Sequence, residues 1–207
     1  RKKKMKKEER KIEDRKIRTT RILEAANKVF AKMGFEKATM NDIASEAGYG
    51  KASLYFYFKS KDEIFDALIN SEMDKRRESI SKILSEEGDP VTKLDKFIDD
   101  TFEHIQTKSD FIRIFHSEQQ RVYALADEKF RSMFRDAQQA MTKQLGAVIS
   151  AGIKTGHFRK IDPEIGATVF LGALSSTVVH WFHSKGKISL ENYKTQIMDI
   201  LLKGVSK

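Results

Sequence analysis

The sequence predicts an all-α protein of about nine helices, with a small N-terminal helical domain followed by a larger one. Three observations support this class. Apolar residues recur every three or four positions, no segment alternates strictly between apolar and polar residues, and Pro occurs only twice in 207 residues. With 40% hydrophobic residues the chain can form a buried core, and the absence of cysteine excludes disulfides and thiolate metal sites.

The first predicted helix runs from about Glu13 to Met33. Its apolar stripe consists of Ile22, Ala25, Ala26, Val29, Phe30 and Met33. Gly34 follows directly, and glycine is common after a helix end because it adopts positive φ angles freely. The preceding residues 1–12 are assigned to a basic N-terminal tail.

Two short helices follow, joined by a turn that contains glycine. Thr39 is placed to cap the first of them, with Asp42 three residues later as in a capping box. This helix ends at Gly48, and the next one begins at Lys51. Two short helices joined in this way are the outline of a helix-turn-helix motif.

The second of these helices carries consecutive aromatic residues from Tyr55 to Phe58. Neighbouring residues of a helix point in different directions, so the rings cannot share one face. Leu54 and Phe58 are four residues apart and are predicted to point inward. Tyr55 and Tyr57 carry hydroxyl groups that can reach phosphate oxygens, whereas a base-stacking platform would need all the rings exposed together.

A longer helix is predicted from Ser60 to Leu84, because Ser60 and Glu63 have the spacing of a capping pair. The sequence EEGDP then interrupts the pattern. The remaining predicted helices lie near 91–107, 110–122, 124–153, 163–184 and 189–203.

The segment 166–182 contains no Asp, Glu, Lys or Arg, which raises the alternative of a membrane span. It is short for a span, and it contains two serines, two threonines and a histidine. A helix that is buried on several sides is therefore favoured.

The net charge of +9 is concentrated in the first third of the chain. Residues 1–63 contain 18 Lys and Arg residues against 10 Asp and Glu residues, whereas the remaining residues are nearly balanced. This asymmetry predicts a polyanionic partner, nucleic acid first and an anionic membrane surface second. A tail that only increases solubility is the alternative for the basic run.

The stretch ATMNDIASEAGYGKASLYFYFKSKDEIF resembles the DNA-binding signature of the tetracycline-repressor (TetR) family of bacterial regulators. The close resemblance covers about residues 17–68, and the rest is similar mainly in length and helical content. It implies a dimer whose two recognition helices enter successive major grooves of a palindromic operator. It also implies a DNA-binding domain at 13–60 and a ligand-binding and dimerisation domain at 61–207, with 61–84 as the connecting helix.

Carried over position by position, the resemblance implies that Thr39 places a helix N-terminus on a phosphate. Lys51, Ala52 and Ser53 would open the recognition helix near base edges and phosphates. The family often has Ser where this chain has Gly50 and Gly where it has Ala52, so the base preference is not inherited.

The resemblance assigns three further DNA contacts. Tyr55 and Tyr57 would contact the DNA backbone or thymine methyl groups, and Lys61 would contact a flanking phosphate.

In this family the last two helices pair with those of a second subunit as a four-helix bundle, which implies a homodimer. The candidate interface residues are Leu171, Leu174, Val178, Trp181, Tyr193, Ile197 and Leu201. A second face of the 163–184 helix, which includes Val169 and His180, is also occupied. A monomer in which both faces are ordinary core is the alternative.

Family members usually hold a small inducer among the middle helices. The candidate ligand-binding residues are Phe102, Phe111, Phe115, His116, Phe134 and Phe170. Aromatic rings with a few polar groups suit an apolar or amphipathic ligand, such as a fatty acyl group or a hydrophobic drug. Ordinary core packing is the alternative for each of these residues.

Metal and enzyme functions are not predicted. His180 and His183 are three residues apart, but two ligands without a third do not complete a metal site. The sequence contains no Gly-rich phosphate loop, no HExxH or GxSxG motif and no cysteine nucleophile, so neither a catalytic residue nor a cofactor is expected.

The leading hypothesis is a sequence-specific DNA-binding transcriptional regulator, a repressor released from its operator by a small hydrophobic or amphipathic ligand. The alternative is a non-catalytic basic protein that binds DNA or a membrane surface without ligand control. Because no apolar segment follows the basic N-terminus, a cytoplasmic protein is expected.

Overall fold

A computed structural model of the chain describes residues 2–118, 128–184 and 189–205. These residues form nine helices and no strand, which confirms the predicted all-α class. The helices are α1 (Lys2–Met33), α2 (Met40–Ala47), α3 (Lys51–Tyr57), α4 (Lys61–Ser85), α5 (Pro90–Thr107), α6 (Ser109–Ser117), α7 (Glu128–Lys154), α8 (Pro163–His183) and α9 (Leu190–Val205).

The start of α1 differs from the prediction. The helix begins at Lys2 and not near Glu13, so the backbone of the expected tail continues α1 without a break. The preceding residues are mainly Lys, Glu and Arg, which are strong helix formers, and none of them is Gly or Pro. The predicted start was wrong because it followed the apolar stripe, which begins later than the helix.

The other helix bounds lie close to the predicted ones, with one exception. The helix expected at 110–122 ends at Ser117, and Glu118 lies in a turn. The following residues 119–127 lie outside the described part of the chain, as does the predicted beginning of the next helix near 124.

The chain divides into two compact units. The first comprises Arg1–Met73 and Asp110–Gln119, and the second comprises Asp74–Ser109 and Gln120–Lys207. Helix α4 therefore contributes its first half to one unit and its second half to the other. The functional boundary between residues 60 and 61 stays a prediction.

The core of the first unit is built around three phenylalanine rings. The Phe30 ring centroid lies 5.2 Å from that of Phe35 and 5.8 Å from that of Phe65, and the last two are 5.0 Å apart. All three side chains are buried. The cluster joins α1, the loop after it and α4.

The second unit contains a partly buried ion pair. The Arg76 guanidinium is paired with Asp100 and donates to Thr101 Oγ1 at 2.6 Å, while Ser79 Oγ donates to Asp100 Oδ1 at 2.6 Å. Burial lowers the pKa of Arg76 to about 10, so the guanidinium remains charged at neutral pH. These bonds tie the second half of α4 to α5.

The turn between α7 and α8 packs closely against the end of α7, where a glycine leaves room for it. A Cβ on Gly152 would come within 2.2 Å of the Phe158 ring, which folds back over α7 in the connecting turn. Asp162 then caps α8, since its Oδ1 accepts from the backbone N–H groups of Glu164 at 2.9 Å and Ile165 at 3.0 Å. The turn and cap fix the direction of α8.

Helix α8 buries only one face within the single chain. Ala167, Phe170 and Leu174 are buried, whereas Ile165 and Val169 are exposed. The expected burial on several sides is therefore not met within one chain. Among the described residues, none of the helices is both long enough and apolar enough to cross a membrane.

Candidate nucleic-acid interface

Helix α2 begins with the capping box that the sequence predicts. The Asp42 N–H donates to Thr39 Oγ1 at 3.2 Å, and the Thr39 N–H donates to Asp42 Oδ2 at 2.9 Å. Hydrogen bonds from the Thr39 hydroxyl and then from its backbone N–H lower the pKa of Asp42. The carboxylate therefore stays charged at neutral pH and fixes the first turn of the helix.

The turn between α2 and α3 is closed by backbone hydrogen bonds. The Gly48 N–H donates to the Ser45 carbonyl at 3.1 Å, and the Tyr49 N–H donates to the Ala44 carbonyl at 2.9 Å, which together form a Schellman motif. Gly48 has a φ of 71°, a conformation that residues with a Cβ rarely adopt. The angle between the two helices is set by this turn.

Helix α3 is held by its inner side. Leu54 and Phe58 are buried, which confirms the predicted inward pair. The Phe58 N–H donates to the Leu54 carbonyl at 3.0 Å, so the chain leaves the helix at this residue and enters an extended conformation. Two apolar anchors thus fix the position of a helix only seven residues long.

The outer side of α3 carries most of the predicted DNA-binding residues. Lys51, Ala52 and Ser53 are exposed at its beginning, and 45% of the Tyr55 side chain is exposed. Tyr57 is half-buried. Together, the four exposed residues form an open face that no other part of the described chain covers.

Phe56 also belongs to this face, although the sequence pattern does not predict it as a DNA contact. It is 75% exposed, and its ring meets the ring of Tyr57 edge-on at a centroid distance of 5.2 Å. The sequence spacing does indicate its exposure. Phe56 lies two residues from each of the inward residues Leu54 and Phe58, and therefore on the opposite side of the helix. With the exposed ring of Tyr55, Phe56 adds an aromatic part to the outer side of α3.

Lys61 has a structural role that the sequence did not predict. Its ammonium donates to the backbone carbonyls of Phe35 at 2.9 Å, Glu36 at 2.9 Å and Ala38 at 3.2 Å, and it lies 4.5 Å from the centre of the Phe35 ring. Three bonds use all the donors of an ammonium group. The structure therefore does not favour the predicted phosphate contact, because that contact would require breaking one of these bonds.

The beginning of α4 is capped as expected. The Glu63 N–H donates to Ser60 Oγ at 3.2 Å, and the Lys59 N–H donates to Glu63 Oε2 at 2.6 Å. Lys59 is exposed beside this cap. The segment that follows α3 is therefore ordered by local bonds.

Helix α1 supports the turn from the other side. The Arg21 guanidinium lies 5.7 Å from the centre of the Tyr49 ring, and the Lys28 ammonium lies 3.5 Å from Glu46 Oε1. Both contacts are at the surface, so their energetic contributions are small. They show that the face of α1 that carries Arg21 and Lys28 adjoins α2 and the turn that leads into α3.

The predicted ligand-binding residues fall into different units. Phe111 and Phe115 are in the first unit, and Phe102, Phe134 and Phe170 are in the second. Three are buried and two are half-buried, while the side chain of His116 lies outside the described part of the chain. Within the second unit the Phe170 ring packs against Phe97 at a centroid distance of 6.0 Å, as a core residue would.

The predicted dimer residues are partly core residues. Leu174 and Ile197 are only 4% and 6% exposed, so the single chain already covers them. Half-buried positions are Leu171, Val178, Trp181 and Tyr193, and the side chain of Leu201 lies outside the described residues. The exposed face of α8 contains other residues, with Ile165 and Val169 near its start and His180 towards its end.

The described residues contain no group of three side chains that could hold a metal ion. His180 Nδ1 is hydrogen-bonded to the Tyr193 hydroxyl, which joins α8 to α9. The side chain of His183 lies outside the described part of the chain.

A capped α2, a Schellman turn and an anchored α3 with an open outer face define a helix-turn-helix DNA-binding protein. The family model for bacterial regulatory proteins of the tetR family matches residues 22–68. The model for the tetracyclin repressor-like C-terminal domain matches residues 87–205. The chain belongs to this family, whose regulators act as dimers.

Known transcriptional regulators are similar to this chain over about nine tenths of its length. The HTH-type transcriptional repressor KstR2 of Rhodococcus jostii is 27% identical over 91% of each chain. The structure of the ketosteroid transcriptional regulator KstR2 of Mycobacterium tuberculosis is 27% identical, with a TM-score of 0.69 over 92% of this chain and 95% of that one.

The regulator FadR of Bacillus subtilis in complex with stearoyl-CoA shares the fold. Its structure has a TM-score of 0.72 over 89% of this chain and 98% of that one, at 22% identity. The sequence prediction of a DNA-binding transcriptional regulator with a helical C-terminal domain is thus confirmed.

Proposed function

We propose that this protein is a repressor that binds a palindromic operator as a homodimer and leaves it when a ligand occupies the second unit. The observation that carries the proposal is the outer face of α3. It presents Lys51, Ser53, Tyr55 and Phe56 to solvent on a helix whose inner side is fixed. A rigid short helix with cationic, hydroxyl and aromatic groups outward suits the major groove of DNA.

The residues of this face have distinct roles in the proposal. Lys51 and Ser53 lie at the beginning of α3, where side chains of a recognition helix reach base edges, and Ala52 permits close approach. The hydroxyl groups of Tyr55 and Tyr57 donate hydrogen bonds to phosphate oxygens. Thr39 positions the N-terminus of α2 against a phosphate.

The ligand class follows from the second unit and from its relatives. Its core is rich in phenylalanine, and the relatives with solved structures include a ketosteroid regulator and one with bound stearoyl-CoA. We therefore assign to this chain an apolar or amphipathic ligand, with a coenzyme A thioester or a steroid as the first candidates. Release requires that the ligand bind the DNA-free conformation more tightly than the DNA-bound one.

The dimer forms through the exposed face of α8 together with α9. Val169 is 60% exposed and Ile165 is exposed beside it, which is costly for aliphatic side chains unless a partner covers them. The protein acts in the cytoplasm and has no catalytic role in this proposal, since it binds its ligand without converting it.

Fluorescence anisotropy tests the proposal. The purified protein is titrated against duplex DNA from upstream of its own gene and against a scrambled duplex of equal length at physiological salt. We expect a clear preference for the native duplex and its loss when a saturating acyl-CoA or steroid is added. Equal, steeply salt-dependent binding to both duplexes would instead support a basic protein that binds DNA without sequence preference.

A further inference from the structure

We propose that the N-terminal part of α1 is a second DNA-binding element. It forms a basic helical arm that binds phosphates next to the groove that α3 enters. The arm comprises residues 2–20, which the structure shows as a continuous helical extension of α1. At 1.5 Å per residue it extends over about 28 Å. The inference rests on the proposed function, because it assumes that α3 faces DNA.

The first argument is the distribution of charge around the helix. At 3.6 residues per turn, six charged residues between positions 8 and 21 lie within an arc of about 140°. They are Arg10, Lys11, Asp14, Arg15, Arg18 and Arg21, five basic and one acidic. The remaining arc carries Glu8, Glu9, Glu13 and Lys16 as its charged residues. The arm is therefore strongly basic on one side only.

The second argument is the direction of the basic side. Arg21 belongs to it, and its guanidinium lies over the ring of Tyr49 in the turn that leads into α3. Towards the C-terminus the same side carries Lys28, which pairs with Glu46 at the end of α2. The basic side thus continues the helix-turn-helix surface beyond the turn, where DNA flanking the recognition helix would lie.

The third argument concerns exposure. Every described residue from Glu8 to Arg18 is exposed, so the basic groups are open to a partner. Lys2, Lys3, Lys4, Lys6 and Lys7 add five positive charges in the preceding turns. A one-sided cationic helix attracts the phosphate backbone without reading bases.

An anionic membrane is a weaker match than DNA. A helix that lies on a membrane buries an apolar stripe opposite its basic side. The exposed aliphatic residues of the arm, Ile12 and Ile17, are about 140° apart around the helix and form no such stripe. The arm has the charge for a polyanion but not the apolar face for insertion.

The salt dependence of DNA binding tests the arm. The variant Arg10→Gln/Lys11→Gln/Arg15→Gln/Arg18→Gln removes four charges from the basic side, and glutamine preserves helix propensity. Each lost phosphate contact reduces the slope of log K against log salt by about 0.9. The homodimer carries two arms and loses both sets of four charges, so we expect the slope to fall by up to about 7. The loss of affinity should be equal for the operator and the scrambled duplex.

A matched control separates contact from overall charge. Lys143→Gln/Lys154→Gln/Arg159→Gln/Lys160→Gln removes the same charge from exposed residues of the second unit. We expect this control to change the slope by less than about 1. Circular dichroism and thermal unfolding establish that both variants are folded.

Three results would overturn the proposal. The first is an unchanged slope in the arm variant, and the second is an equal change in both variants. The third is unchanged DNA binding with a lost affinity for vesicles of phosphatidylglycerol, which would identify a membrane arm. Failure of the proposed function is distinguishable, because the wild-type protein would then show no operator preference while its salt slope still reports on the arm.

Discussion

Helices α3 and α8 each bury one side and expose apolar groups on the other, but their exposed sides differ in chemistry. Helix α3 exposes Phe56 and Tyr55 among hydroxyl and cationic groups, whereas α8 exposes the aliphatic Ile165 and Val169. A polar, cationic face with aromatic rings suits a nucleic acid, and an aliphatic face suits a second copy of the same chain. From this chemistry we expect α3 to face DNA and α8 to face a second copy of the chain.

The inner side of α3 should dominate stability, and its outer side should dominate DNA binding. Leu54→Ala removes a fully buried side chain and should lower the free energy of unfolding by about 2–5 kcal/mol. Phe56→Ala, in the same helix, should change it by less than about 0.5 kcal/mol and still weaken operator binding. Urea unfolding and anisotropy measure the two effects. If Phe56→Ala proves as destabilising as Leu54→Ala, the ring is part of the core.

The corresponding test on α8 introduces a charge on its exposed side. Val169→Glu would bury an unpaired carboxylate in the proposed dimer interface, at a cost of about 3 kcal/mol or more. We expect the dissociation constant of the dimer to rise roughly 100-fold, as measured by light scattering over a concentration series. Ala151→Glu, at an exposed position of α7, is the control. A Val169→Glu protein that remains dimeric would place the interface elsewhere.

Lys61 distinguishes the sequence prediction from the role seen in the structure. Lys61→Met leaves three carbonyl oxygens without their donor and should lower the free energy of unfolding by about 1–3 kcal/mol. The salt dependence of DNA binding should stay the same. A stable variant whose salt slope falls by about 1.8, one contact in each of the two subunits, would show that Lys61 contacts a phosphate after all.

A smaller effect is expected for a single hydroxyl on the outer side of α3. Tyr55→Phe should weaken binding to all duplexes by about 0.5–1.5 kcal/mol, as loss of one phosphate hydrogen bond would. Anisotropy on the operator and on the scrambled duplex provides the comparison. Unchanged affinity for the operator would remove this role from Tyr55.

The sequence was most informative where structure is set by residues three or four positions apart. The caps at Thr39 and Ser60 and the inward pair Leu54 and Phe58 depend on such local spacing, and each was predicted correctly. The helix-turn-helix motif also indicates a DNA-binding protein, because the lengths of its turn and helices are local properties of the sequence.

The sequence is less informative where distant parts of the chain decide the outcome, and the roles of the residues there stay predictions. Lys61 bonds to carbonyls 23 to 26 residues away, a contact that no spacing rule shows. Leu174 and Ile197 follow the same periodicity whether the surface that covers them belongs to this chain or to a partner. Periodicity identifies an apolar side, but only tertiary packing tells which neighbour covers it.

The smallest expected effect concerns the start of α3, where Gly50 supplies no side-chain cap. Its φ of −69° is open to any residue, and a Cβ there would meet nothing within 4 Å. Gly50→Ser should therefore stabilise the protein by a few tenths of a kcal/mol, because the hydroxyl accepts from an N–H of the first turn. Differential scanning calorimetry should show a rise in Tm of about 1–2 °C.

The same variant also tests whether the open end of α3 reaches the DNA. A serine hydroxyl at this position lies beside Lys51, where the proposal places phosphate and base contacts. If affinity for the operator rises by more than the gain in stability, the hydroxyl makes a DNA contact that the glycine lacks. If stability rises and affinity does not, the cap acts only within the protein. A lower Tm would contradict the open environment seen around Gly50, and with it the account of how α3 begins.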